Sequence, residues 1–280
     1  MQTLLSLSKK PYSTSTINIG AMVAKALDSQ ITLFTVIESE SSKTQTYDEL
    51  QLIGKDISNS SDILIRQGNP ENEIISETES GKYNLLVIGA RTHSSVPTEF
   101  IFGDTTHRIV KDSPISVLVS RGITQNLNHI LVCTSGPNAG FDALRTAIKM
   151  SKHTNSKLTL LHVSRAVPSM YTGLDQMGES LSDLLQTDTP TAQYLRDCAA
   201  LLNNEKIDAE IELRHGTPTQ EILRDIDRNT YDLLIIGASK KSPFNRMLTD
   251  NVSAQLAASA PLSVLVIHNS IQQTMTTNEQ

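Results

Sequence analysis

The sequence predicts an α/β protein built from two tandem, doubly wound units, and two observations carry that prediction. The first is duplication. Residues 231–238 read YDLLIIGA and residues 83–90 read YNLLVIGA, identical at six of eight positions. SQITLFTV (29–36) matches SKLTLLHV (156–163) at an offset of 156 − 29 = 127. GNPENEII (68–75) matches GTPTQEIL (216–223) at 148, and SPISVLVS (113–120) matches APLSVLVI (260–267) at 147. The second observation is alternation. Short apolar runs, each a candidate buried strand, alternate with segments whose apolar residues recur at helical spacing. Strands that alternate with helices imply right-handed crossovers and a parallel sheet with helices on both faces.

Taken in order, the second copy opens on the strand HILVCTS (129–135). A helix over Ala139–Thr154 places Phe141, Leu144, Ala147, Ile148 and Met150 at helical spacing. The strand KLTLLHV follows, then a helix over Thr191–Asn203 with Tyr194, Leu195, Cys198, Ala199, Leu201 and Leu202 on one side. AEIELRHG (209–216) alternates as a strand, and Thr219–Arg228 puts Ile222, Leu223 and Ile226 on one helical face. The strand ending IGA, a loop, a helix from about Thr249 and the strand LSVLVI complete the unit. The first copy follows the same plan, with helices expected over Ser13–Leu27 and Tyr47–Ser58. The changes of offset locate the differences: 148 − 127 = 21 extra residues follow the second copy's second strand, within 164–190, and one extra residue follows Gly89 in the first copy. The expected domains are therefore 1–121 and 129–268, joined by the polar linker 122–128 (GITQNLN), with a loose tail over 269–280.

Composition narrows the functional classes. The 280 residues include 38% hydrophobic and 19% charged residues, ordinary for a globular chain, but only 4% aromatics and no Trp, so the core is aliphatic. Net charge is 24 − 30 = −6, and no run of Lys or Arg exceeds two residues. That excludes the basic footprint of a nucleic-acid or anionic-membrane binder. Cys133 and Cys198, sixty-five positions apart, make neither a disulfide framework nor a metal spacing. Leu4–Leu7 precede Lys9 and Lys10, the reverse of a signal peptide's order, and no apolar run approaches eighteen residues. The expected location is the cytoplasm.

In a doubly wound sheet, ligands bind beyond the carboxyl ends of the strands. That rule selects Ser8, Val36, Ser135, Val163 and the loops after Gly89 and Gly237. Four features, in the same order in each half, occupy those positions: a first strand with a short polar loop, a second strand ending LFTV or LLHV, a G-x-P…E-I turn into a helix, and a strand ending IGA before a last strand SVLV. In this combination the chain resembles the universal stress protein family in its tandem-domain form, from about residue 2 to 268. The resemblance implies two Rossmann-like domains of the adenine nucleotide alpha hydrolase type, each with a five-stranded parallel sheet and helices on both faces. It also implies pairing through the last strand, here between the two halves of one chain as an intramolecular pseudo-dimer, with a homodimer of the whole chain as a further form.

One branch of that family binds ATP through a Gly, two residues, Gly, nine residues, Gly and Ser/Thr pattern, accompanied by an Asp at the end of the first strand. The logic is physical: glycines let backbone approach phosphate, and the following helix offers free N–H groups. Carried over residue by residue, Gly89 matches, but Thr92 replaces the second Gly, ten residues lead to Gly103, and Asp104 takes the hydroxyl position. In the second half Gly237 matches, Lys240 replaces the second Gly, and Asp250 and Asn251 stand for Gly and Ser/Thr. Ser8 and Ser135 occupy the position of the Asp. A carboxylate about 4 Å from a phosphate charge costs roughly 4 kcal/mol at an effective dielectric near 20, on the order of a thousandfold in affinity. A bridging Mg²⁺, or Lys240, Lys241 and Arg246 acting from the other side, would relieve it.

The expected ligand-facing residues are Val36, Gly89 and Gly103 in the first half, and Ser135, Gly136, Val163, Gly237 and Asn251 in the second. No resident cofactor is expected, with ATP or AMP plus Mg²⁺ as the alternative. GLDQMGES (173–180) has a P-loop's spacing but carries Glu179 where the Lys must be, so its charge is inverted. The seven histidines form no H-E-x-x-H, and no G-x-S-x-G elbow or nucleophile–base–orienter set is present. The reading is a non-catalytic stress-response or regulatory protein that takes a small molecule or a protein partner. A nucleotide-binding sensor or slow ATPase is the competing class.

Overall fold

The computed structural model describes residues 1–8, 10–57, 61–90, 104–134, 136–164, 180–238 and 250–268. The chain divides into two compact units, residues 1–126 with 257–280 and residues 127–256. In the first unit the strands are β1 (Gln2–Ser6), β2 (Gln30–Ile37), β3 (Asp62–Gln67), β4 (Leu85–Gly89) and β5 (Ser116–Ser120). They run β3-β2-β1-β4-β5, every neighbouring pair parallel. The strand LSVLVI, β10 (Ser263–Ile267), joins this unit, antiparallel to β5 with Val117 opposite Val266 and Val119 opposite Val264. The fifth strand of the second copy thus belongs to the first compact unit. The second unit holds β6 (His129–Thr134), β7 (Lys157–Ser164), β8 (Ala209–His215) and β9 (Leu233–Gly237), in the order β9-β6-β7-β8 and all parallel.

Strand composition follows position. β4, β5, β6 and β9 are nearly unbroken aliphatic runs buried on both faces, whereas β3 and β8 pair on one side only and are less buried, β8 alternating charged with apolar residues and β3 carrying its charges near its ends. Edge charges such as Asp62, Arg66, Glu210 and Glu212 discourage further strand addition.

The helices are α1 (Thr14–Ala26), α2 (Lys43–Ile57), α3 (Pro70–Thr78), α4 (Asp104–Asp112), α5 (Pro137–Thr154), α6 (Leu181–Leu185), α7 (Pro190–Asn204), α8 (Pro218–Arg228) and α9 (Asp250–Ser259). Ser13 caps α1 by accepting from the Thr16 amide, and Thr189 caps α7 by accepting from Ala192. The repeated G-x-P turn has a direct explanation. Gly68 and Gly216 sit at φ +150° and +149°, and a Cβ on either would lie 2.9 Å from the side chain of Glu73 or Glu221, folded back over it. Pro70 and Pro218 then open α3 and α8. Within 164–190, residues 165–179 lie outside the described residues, and the rest holds α6, closed by a capping box between Ser180 and Asp183. GLDQMGES falls almost wholly outside them.

Candidate ligand crevices at the strand ends

In the first unit Val36 and Gly89 are half-buried at the carboxyl ends of β2 and β4, and Ser8 is exposed. Gly103, like Thr92, lies outside the described residues. Among the described residues, a Cβ on Gly89 would meet only the Thr16 hydroxyl, at 2.9 Å, with nothing else nearer than 3.9 Å. Thr35, one residue before Val36, donates its hydroxyl to the Leu7 carbonyl at 2.6 Å, which ties β2 to the exit of β1. Tyr12, in the loop before α1, comes close to Thr35, Lys10 and Glu49. Burial holds the phenol's pKa above its usual value, with the Thr35 bond opposing. A Lys10 Nζ–Glu49 carboxylate pair at 2.6 Å joins the same loop to α2.

The second unit builds the same place differently. α5 begins at Pro137 behind Gly136, which sits at φ +138° with no side-chain cap; Gly136 N instead donates to Thr134 Oγ1 at 3.3 Å. The first turn of α5 presses on β9. A Cβ on Gly237 would fall 2.1 Å from the Ala139 carbonyl oxygen and 2.5 Å from its carbon, so only glycine fits and Gly237 is buried. Thr134 also bonds the Tyr194 hydroxyl, buried at 3% exposure and packed edge-on to Phe141 with centroids 4.8 Å apart. Gly136 and Val163 are half-buried. Ser135 lies outside the described residues, and Asn251 lies in the first turn of α9, its side chain outside them.

Equivalent positions reveal a compensating exchange. Thr46, Leu50 and Gly54 are the buried residues of α2; adding 148 gives Tyr194, Cys198 and Leu202, all buried on α7. Adding 127 to Leu7, Tyr12, Ser13 and Thr35 gives Thr134, Ala139, Gly140 and His162. Where the first unit has Tyr12 and a small Thr46, the second has a small Ala139 and Tyr194. The phenol near this strand end comes from the β1–α1 loop in one unit, where Tyr12 adjoins Thr35, and from a helix in the other, where Tyr194 bonds Thr134. A Cβ on Gly140 would lie 2.2 Å from Tyr194 Oη, while its counterpart Ser13 caps α1. None of Tyr12, Thr46, Thr134 or Tyr194 was selected by the strand-end rule. The alignment of the two copies at 127 and 148 contains the signal.

His162 replaces Thr35. It is 8% exposed, lies against the Thr134 carbonyl, and its buried Nδ1 has no hydrogen-bond partner. Burial lowers its pKa, the Thr134 carbonyl opposes that, and His215 adds to it. Burial pushes the Cys198 thiol up to about 11 and raises Cys133 well above its ordinary value, so neither is a ready nucleophile. Among the described residues no group of three or more His, Cys, Asp or Glu side chains is placed to hold a metal ion, and no helix is long and apolar enough to cross a membrane.

A tandem, parallel-dominated α/β architecture with glycine-ended strands at its crevices defines a Rossmann-like class of fold. The universal stress protein family profile matches residues 4–121 and again 126–268, so the chain belongs to that family, with two copies in one polypeptide. A universal stress protein of Methanocaldococcus jannaschii is 24% identical over 49% of this chain and 80% of its own length. A solved universal stress protein of Pseudomonas aeruginosa covers 95% of this chain and 92% of its own at 12% identity, with a TM-score of 0.71. One from Archaeoglobus fulgidus covers 95% of each chain at 17% identity, with a TM-score of 0.64. At these identities the solved structures speak for the fold.

Proposed function

We propose that this universal stress protein is a non-catalytic stress-response or regulatory module, acting through a small-molecule or protein partner in the cytoplasm. The carrying observation is the approach of the Ala139 carbonyl to Gly237. In a phosphate-binding turn the glycine leaves room for a ligand; here the first turn of α5 takes that room. The residues around the crevices support the same reading, since Tyr194 and Thr134 are bonded to each other and both thiols are held protonated. Titration of the pure protein with a fluorescent ATP analogue, with and without Mg²⁺, tests the reading. Binding tighter than about 100 μM, roughly −5.5 kcal/mol, would overturn it.

A second reading is favoured by one observation in the first unit. Gly89 is half-buried, and among the described residues a Cβ there would meet only the Thr16 hydroxyl, which supports backbone approach by a phosphate at this glycine. An adenine-nucleotide sensor or slow ATPase would use Val36, Gly89 and Gly103, with ATP or AMP and Mg²⁺. If the titration gives tight binding, loss of that binding in Gly89→Val assigns it to this half.

A further inference from the structure

β3 is the outer strand of the first unit: it bonds β2 on one side, and among the described residues no strand pairs with its other side. Ile63, Leu64 and Ile65 are half-buried there, between exposed Asp62 and exposed Arg66, whereas Leu33 and Phe34 on β2 are fully buried. Such an edge presents a row of backbone N–H and C=O groups to any strand that fits it. Its charges deter a chance strand, but their order also decides whether the edge accepts its own copy. A two-fold axis through Leu64, perpendicular to the sheet, sets two copies of β3 antiparallel. Leu64 then lies opposite Leu64, Ile63 opposite Ile65, and Asp62 opposite Arg66 at both ends. Moving the centre to Ile63 or Ile65 sets Asp62 or Arg66 against Leu64 instead, so charge selects one register. Arg66 donates one Nη2 bond to Glu77 at 2.9 Å, yet its side chain is 49% exposed and a guanidinium has further N–H groups to offer.

We propose that the β3 edge is the docking surface for a second copy of this chain, joined by antiparallel β3–β3 pairing centred on Leu64. The outer strand of the second unit is built against such pairing. Centring β8 on Glu212 sets that carboxylate against itself, centring on Ile211 sets Glu210 against Glu212, and centring on Leu213 sets Ile211 against the exposed His215. Arg214 is meanwhile held by Glu212 and Asp225 of its own chain. One outer strand is thus self-complementary and the other is not, which favours a closed dimer over a growing chain of copies. The geometry has a precedent in the same molecule, where β5 and β10, which share the sequence SVLV, pair antiparallel. The proposal rests on strand order and charge, so it holds whether or not either crevice takes a ligand.

Light scattering of the full chain over a range of concentrations tests the pairing. The mass should rise from 30.7 kDa towards twice that value. Asp62→Lys sets like charges opposite each other at both ends of the pair and should raise the dimer Kd by about tenfold. Asp62→Glu keeps the sign and should stay within about twofold. Oxidative cross-linking then reads the register. Two thiols introduced by Leu64→Cys would have Cα atoms about 4.5–5.5 Å apart, within disulfide reach. Those introduced by Gln67→Cys would lie about 20 Å apart and should not link. Cys133 and Cys198 are 2% and 0% exposed and do not compete. Circular dichroism checks the fold of each variant, and the mass of Asp62→Lys, at an exposed position, decides the matter if Leu64→Cys does not fold. A dimer unchanged by Asp62→Lys, or one that links as readily at position 67 as at 64, overturns the proposal and moves the contact to another surface. A chain that stays monomeric at every concentration also overturns it, and leaves the β3 edge to an extended segment of some other protein.

Discussion

The Tyr231 hydroxyl donates a 2.8 Å hydrogen bond to Asp225 Oδ2, a carboxylate only 2% exposed. Arg214 Nη2 holds the other oxygen at 3.1 Å, and Tyr231 also neighbours Thr159. Subtracting 148 gives Arg66, Glu77 and Tyr83, and subtracting 127 from Thr159 gives Thr32. The same set recurs: Arg66 Nη2 lies 2.9 Å from Glu77 Oε2, and Tyr83 sits by Glu77 and Thr32. A buried carboxylate left without partners costs several kcal/mol, so each copy keeps the cation and the phenol together. Asn84 and Asp232 recur as well, accepting from the amides of Gln2 and His129 at 3.1 and 2.9 Å.

Tyr231→Phe is therefore expected to cost about 1–2 kcal/mol, the price of an unmet hydrogen bond to a buried charge. It also changes the alkaline limb. Burial, with the adjacent Asp225, raises the Tyr231 pKa, and burial raises those of Tyr12, Tyr83 and Tyr194. The unfolded chain gives up these protons first, so the stability they contribute is full below about pH 10 and is lost as pH rises above it, by up to about 1.4 kcal/mol per pH unit per group. Urea unfolding from pH 8 to 11 should show this fall, with a shallower slope in Tyr231→Phe. An unchanged slope would show that Tyr231 ionises alike in both states.

The two glycines that end β4 and β9 should answer alanine unequally. In Gly237→Ala the new methyl must displace the Ala139 carbonyl of α5, backbone that has nowhere to move. In Gly89→Ala it meets one hydroxyl on a side chain that can rotate. Overpacking of the first kind costs roughly 3 kcal/mol or more, and the second about 1 kcal/mol. Denaturant midpoints of the two variants measure the difference. Equal losses would mean that α5 shifts freely, and the room beside Gly237 would then be available to a ligand.

The extent to which these sites were legible in the sequence follows from which interactions are local. The strands and helices were, because aliphatic runs and helical spacing are one-dimensional patterns; α5 and α7 begin within two residues of their expected starts, and the first-unit helix α2 begins four residues early at Lys43. β10 joining the first unit was not legible as a boundary, since β5 and β10 share the sequence SVLV and pairing between them depends on the third dimension. The crevice residues divide similarly. Gly89 and Gly237 look identical in sequence, yet one faces a hydroxyl and the other a backbone carbonyl, because α5 starts earlier in its copy than α1 does. The Tyr12–Thr46 and Ala139–Tyr194 exchange couples positions far apart in the chain, and no local pattern marks it.

His162 predicts an acid limb. Its pKa is lowered chiefly by burial, so the unfolded chain protonates first; stability is present above about pH 6.5 and lost as pH falls through the folded value. His215 on β8 opposes its protonation, the Thr134 carbonyl favours it, and His129 is lowered in the same direction by burial at the other end of the sheet. His162→Thr copies the first unit, where Thr35 makes its bond to Leu7 without a titrating ring. Between pH 6.5 and 5 the variant should lose stability less steeply, by up to about 1.4 kcal/mol per pH unit. An identical slope in wild type and variant would assign the acid limb to other groups.

Arg121, just beyond β5, carries the last expectation. Its guanidinium donates to the carbonyls of Ala257, Ala258 and Ala260 at the end of α9, while its amide and carbonyl bond the Ser263 hydroxyl at 2.9 and 3.1 Å. One side chain thus satisfies three carbonyls that a helix C-terminus leaves unpaired, and places a positive charge at the negative end of the dipole. Burial lowers its pKa, but a guanidinium stays charged throughout the working range. Arg121→Ala should cost about 2–3 kcal/mol, since bonds from a charged donor to partly buried acceptors are lost together. Arg121→Lys should recover only part of that, because an ammonium cannot span three carbonyls as a planar fork does. The loss should concentrate where α9 hands the chain to β10, so amide exchange at Val264–Val266 should accelerate more than exchange at β1. Uniform acceleration across the sheet would instead make Arg121 a general stabiliser with no particular hold on the last strand.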